Sequence, residues 1–118
     1  MDFSIEKNGD ATIIRIQIAR VIYPLLPGLV EKTREAIDGG ARALILDLGA
    51  VVYIDSATIG CIMDIHRLAT DKGGALHLLA PQARVETMLS MAGVHKIMPI
   101  FREEDEALRA FASDGGKR

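Results

Sequence analysis

The residues of this sequence best suited to chemistry lie together in Asp55-Ser56-Ala57-Thr58, directly after the apolar run Val51 to Ile54. Such a segment reads as a strand end turning into a helix, and it carries two hydroxyls and a carboxylate. A serine at a helix start accepts hydrogen bonds from the orphan amides of the first turn, so the plainest reading of Ser56 is a helix cap. A hydrolase nucleophile is the more reactive alternative. Its flanks argue against that role, because Ile54 and Thr58 stand where a G-x-S-x-G elbow has glycines, and spacing assigns none of His66, His77 and His95 as its base. Thr58 is expected as a cap or solvent contact. Asp47 and Asp55 would make a carboxylate pair, but no third ligand accompanies them, and Asp47 is expected to bind loop amides at a strand end. Cys61, without a basic neighbour, is expected to be a buried structural thiol. No catalytic residue, metal site or cofactor is expected.

The elements that must position this corner follow from hydrophobic periodicity. Phe3 to Lys7 and Thr12 to Ile18 flank the turn signal Asn8-Gly9-Asp10, and Ile14, Ile16 and Ile18 alternate with polar residues, so a hairpin opens the domain. Pro24 and Pro27 approach a helix whose inner face carries Leu26, Leu29, Val30, Thr33 and Ile37, and Gly39-Gly40 ends it. ALILDL, Ala43 to Leu48, is a nearly continuous apolar run of the kind covered on both faces. A helix from Ser56 to Asp71 stops at Gly73-Gly74 and leads into the strand Leu76 to Leu79. A third helix is expected over Pro81 to Ala92 with Val85, Met88, Leu89 and Ala92 inward, then a brief strand within Ile97 to Phe101 and a last helix from Glu103. Helix, Gly-Gly and apolar strand occur twice, which is βαβ logic and implies parallel strands. The expectation is one α/β domain over residues 1–112, an N-terminal hairpin and then alternating helices and strands in a mixed sheet packed by about four helices, with a disordered tail at 113–118.

Composition narrows the function. The 118 residues are 49% hydrophobic and 25% charged, with a formal net charge of −2, which supplies no broad basic field for nucleic acid or an anionic membrane. No stretch approaches the ~18 consecutive apolar residues of a spanning helix. Cys61 is the only cysteine, so an intrachain disulfide is impossible, and a cytoplasmic setting is expected. The helix after Ser56 has more apolar surface than a sheet alone requires, since Ile59, Ile62, Met63, Ile65 and Leu68 spread around much of its circumference. Packing between helices is the first explanation, and a partner-binding patch on its first turns the second.

The element order, together with VVYIDSATIG, KGGALHLLAP and MLSMAGVHKIMPIF, resembles the STAS domain, the fold of anti-sigma factor antagonists, stressosome proteins and the cytoplasmic tails of sulfate transporters. The resemblance runs from Leu44 to Ala107. It implies a non-enzymatic, phosphorylation-switched binding module whose phosphoacceptor is Ser56, with Thr58 the less favoured alternative, and whose partner-facing residues are Asp55, Ser56, Ala57, Thr58, Ile59, Gly60 and Met63. It also implies an anti-sigma factor with serine-kinase activity as partner, a metal-dependent serine phosphatase that removes the mark, and a monomer or dimer. The stressosome-like scaffold and a small-molecule or nucleotide-binding STAS module are the alternatives; no G-x-x-x-x-G-K-[ST] loop supports the last. Two departures stand out: Thr58 replaces a glycine of the family pattern, and Ala19-Arg20-Val21-Ile22 replaces an acidic turn.

Overall fold

In the computed structural model, which describes residues 2–115, the alternating isoleucines form the expected hairpin: β1 (Phe3–Asn8) pairs antiparallel with β2 (Ala11–Ile16). After it come β3 (Arg20–Val21), a 3-10 turn at Tyr23–Leu25, α1 (Leu26–Asp38), β4 (Ala43–Asp47), β5 (Tyr53–Ile54) and α2 (Ser56–Asp71). β6 (Ala75–Leu79), α3 (Ala83–Met91), a 3-10 turn at Val94–Lys96, β7 (Ile100–Phe101) and α4 (Glu104–Gly115) complete the described chain. The main sheet is five-stranded in the order β1-β2-β4-β6-β7, and every strand pair after the hairpin is parallel. Parallel pairing follows from the two helix-glycine-strand units, because each crossover helix returns the chain to the same end of the sheet.

β4 is covered on both faces, as its apolar run requires. Leu44 and Leu46 join Ile14, Ile16, Leu76 and Leu78 beneath α1, α2 and α3, whereas Ile45, with Ile13 and Leu79, meets Ala107 of α4 on the other face. His77, the one polar residue of β6, is buried under α4. Its Nδ1 donates to the Ala107 carbonyl at 3.0 Å, and its ring stacks on Phe111 with centroids 3.7 Å apart. Arg15 ties the same helix to the hairpin: it bonds Glu6, Asp47 and Glu104 at 2.9, 2.8 and 2.9 Å, and these carboxylates, Glu6 foremost, raise its pKa above the usual range.

Several boundaries differ from expectation. β2 ends at Ile16, two residues before Ile18, because the chain leaves the sheet there to form β3, which pairs parallel with β5 in a separate two-stranded sheet. α3 begins at Ala83 instead of Pro81, and Ala92 is exposed while Val85 and Leu89 are buried. The last strand shrinks to Ile100–Phe101 because Val94–Lys96 tightens into a 3-10 turn. Of the expected tail, 113–115 continue the backbone of α4 and 116–118 lie outside the described residues.

Candidate functional site

β5 delivers Tyr53 and Ile54 to the corner at which α2 starts, and Asp55 is the residue that caps the helix. Its backbone is extended, and its Oδ1 accepts from the Thr58 amide at 2.9 Å. The capping role expected of Ser56 therefore belongs to its neighbour: a cap must stand outside the helix with extended backbone, and Ser56 is already the first helical residue. Hydrogen bonds from Thr58, backbone first and then side chain, hold the Asp55 carboxyl below the usual carboxylate range. Ser56 is exposed, and its hydroxyl makes no hydrogen bond to another described residue.

Thr58 is neither a terminal cap nor a solvent contact. It is 2% exposed, and its Oγ1 lies 2.6 Å from the Val21 carbonyl oxygen and 2.9 Å from Asp55 Oδ1, so the single hydroxyl proton has its shorter contact to Val21. The side chain thus stitches β3 to the first turn of α2. The departure from glycine at this position supplies a bolt through the corner.

Around Ser56, Ala57 and Gly60 are exposed, whereas Ile59 and Met63 are half-buried and pack against the core. Ala57, Gly60 and Cys61 form one wall of a groove of about 420 Å³ between α2 and α1, whose other wall holds Tyr23, Leu26, Pro27 and Val30. Tyr23 is 67% exposed at its rim. Burial, then the charge of Asp64, pushes the Cys61 thiol up to about 11, so it is protonated at neutral pH. On the other side of the corner, the Arg20 guanidinium lies 4.6 Å from the centroid of the Tyr53 ring, a cation–π contact between β3 and β5. Asp47 and Asp55 serve different local structures: Asp47 binds Arg15 and accepts from the Gly49 amide at 2.9 Å, the loop-amide role expected of it.

A family model for the STAS domain matches residues 2–107, nearly the whole of this architecture. The chain belongs to the STAS domain family. Among curated relatives, an anti-sigma F factor antagonist of Paenibacillus polymyxa is 34% identical over 65 residues, 55% of this chain and 56% of that one. A Thermotoga neapolitana protein named as a homolog among the anti-sigma factor antagonists is 34% identical over 74 residues, 63% of this chain and 66% of that one. Each match therefore spans less than two-thirds of the relative's length. Unphosphorylated SpoIIAA, an anti-sigma factor antagonist, superposes with a TM-score of 0.80 at 21% identity, covering 94% of this chain and 96% of that one, and its phosphorylated form with a TM-score of 0.71. At that identity the likeness concerns the fold.

Within the STAS domain, the residues expected at the site converge on one corner, with Thr58 beneath it and not on its surface. Sequence reading missed Tyr23 and the Arg20–Tyr53 pair as parts of this corner. Arg20 had been visible only as a departure in the turn before Tyr23. The parallel pairing of Arg20 with Tyr53 is a tertiary fact that two-residue strands do not announce in a local pattern. Among the described residues no helix is long and apolar enough to cross a membrane.

Proposed function

We propose that this STAS domain is a phosphorylation-switched binding regulator of the anti-sigma factor antagonist kind. Unphosphorylated, it binds an anti-sigma factor that is also a serine kinase; phosphorylation of Ser56 weakens that binding, and a metal-dependent serine phosphatase restores it. One observation carries the reading: Asp55 takes the cap, which leaves the Ser56 hydroxyl exposed at the first position of α2 with no hydrogen bond to another described residue. A kinase holding ATP can approach it directly. The hydroxyl oxygen attacks the γ-phosphorus, its proton leaves to a kinase base, and ADP departs. Thr58 is a poor acceptor by the same test, since its hydroxyl is buried against Val21.

The added charge of about −1.5 to −2 would stand beside Asp55, on a surface the partner must cover. Asp55, Ser56, Ala57, Ile59, Gly60 and Met63 make that surface, and Thr58 supports it from below. Desolvating an unmatched phosphate disfavours the complex without requiring a change of fold. That SpoIIAA has been solved in both phosphorylated and unphosphorylated forms on this architecture supports the reading. The test is to incubate the protein with serine kinases from its own genome and ATP, then map phosphate by mass spectrometry. Labelling of Ser56, lost in Ser56→Ala, is expected; reproducible labelling only elsewhere would overturn the proposal.

A further inference from the structure

In the small sheet beside the corner, Arg20 of β3 is paired with Tyr53 of β5 and Val21 with Ile54. Side chains alternate along each strand, so the burial of Val21 and Ile54 turns Arg20 and Tyr53 to the opposite, outward face, and the same alternation brings Asp55 to that face. The Arg20 guanidinium is held over the Tyr53 ring, 4.6 Å from its centroid, and none of its five N–H donors meets an acceptor among the described residues. Other exposed arginines are matched: Arg34, Arg67 and Arg102 reach Glu31, Asp64 and Glu86. Arg84 and Arg109 also lack a carboxylate, but no ring among the described residues holds either of them. The nearby carboxylate of Asp55 is turned to Thr58, whose amide and hydroxyl both lie 2.9 Å from its Oδ1. Arg20 is therefore a cation of fixed orientation, beside Ser56, with no counter-charge among the described residues.

We infer that Arg20 is a specificity-determining residue of the partner surface: it receives a carboxylate of the same kinase that covers Ser56. The inference rests on the binding reading proposed above. Stacking on Tyr53 orders the guanidinium while leaving its N–H fork free, so little rotamer freedom is lost when a carboxylate docks on it bidentately. Tyr53 stands three residues before Ser56, which is roughly 10 Å of extended chain at ~3.3 Å per residue. One partner face of the usual ~800 Å² covers both points. The same separation disfavours the chain's own phosphate as the occupant, because Arg20 would have to leave the Tyr53 ring to reach it. A partner with a carboxylate at this place gains a charge-assisted pair as water is excluded, and one with a lysine or arginine there is repelled. Arg20 thus selects among kinases, and Ser56 switches the one selected.

The kinase that labels Ser56 is the probe, and its affinity for the unphosphorylated chain is measured by titration calorimetry without ATP. Arg20→Glu should weaken binding at least ~10-fold and Arg20→Ala less, with Arg20→Lys keeping part of the affinity because an ammonium lacks the fork. Arg20→Ala and Arg20→Lys carry the test if Arg20→Glu does not fold. Arg109→Glu makes the same change of net charge on α4, across the main sheet, and should leave the affinity within ~2-fold. In labelling kinetics Arg20→Ala should raise KM for the chain with kcat unchanged, as loss of a contact away from the reacting hydroxyl does. Reversing one acidic residue of the kinase to arginine should restore binding to Arg20→Glu. Unchanged affinity in the Arg20 variants, with Ser56 still labelled, would overturn this inference and leave the switch standing; labelling only away from Ser56 would remove both. An equal loss in Arg109→Glu, or the absence of any restoring acidic residue on the kinase, would reduce the effect to overall charge and overturn it. An Arg20 effect confined to the phosphorylated chain would assign Arg20 to the chain's own phosphate and equally overturn it.

Discussion

Asp55 and Thr58 hold the corner so that Ser56 does not have to, and this division of labour can be tested one side chain at a time. Ser56→Ala removes a hydroxyl without a described partner, so the unfolding free energy should stay within ~0.5 kcal/mol of the parent in urea titration. Thr58→Val keeps the shape but leaves the buried Val21 carbonyl without its donor; a loss of about 1 to 3 kcal/mol is expected, with Thr58→Ser recovering part of it. Asp55 adds a pH dependence. Its carboxyl titrates lower in the folded chain than in the unfolded chain, so its contribution is fully present above the unfolded value and is lost as pH falls through the folded one. Thermal melts of the parent and Asp55→Ala should differ at neutral pH, with the difference shrinking as pH falls below about 4, near the unperturbed carboxylate value, and closing only below the lower folded value. Ser56 at a helix start was legible in the sequence. That Asp55 and not Ser56 is the cap was not, because Asp-Ser satisfies the same local preference in two ways and only the backbone of position 55 decides between them.

At the scale of elements, the tightest constraint lies where α2 hands the chain to β6. Gly73 takes a left-handed φ of 85°, and the amides of Gly73 and Gly74 donate to the Thr70 and Ala69 carbonyls, the paired bonds of a Schellman cap. Gly74 has a second duty. A Cβ there would lie 2.3 Å from the Arg42 carbonyl oxygen, since the strand must come close enough for the Ala75 amide to reach that oxygen. Gly74→Ala should therefore cost about 1 to 3 kcal/mol, as overpacking against fixed backbone does, measured by chemical denaturation. The glycine pairs announced both helix ends in the sequence. The Gly74 contact did not appear there, because it depends on a residue 32 positions away. Arg15 is a similar case: as a polar residue in an alternating strand it read as a solvated face, yet it joins β1, β4 and α4 through three carboxylates. Arg15→Gln should accelerate amide hydrogen exchange in α4 while leaving α2 protected.

For the whole molecule, the sheet holds the corner independently of the serine it presents. The main sheet and its two cores fix the relative positions of β1 and α2, and the corner itself is bolted by Thr58 and capped by Asp55. A phosphate on Ser56 would therefore meet a framework that does not need the serine hydroxyl to stay folded. Amide chemical-shift changes on phosphorylation should be confined to β3, β5 and the first turns of α1 and α2, with the rest of the sheet unmoved. Binding should change far more than structure. With the formal net charge of this chain at −2, one phosphate about doubles the net negative charge and concentrates the increase at the corner. A penalty of even ~3 kcal/mol lowers partner affinity more than a hundredfold. Titration calorimetry of the kinase partner against the unphosphorylated and phosphorylated chain should show that loss. Equal partner affinity for both forms would remove the switch while leaving the fold intact.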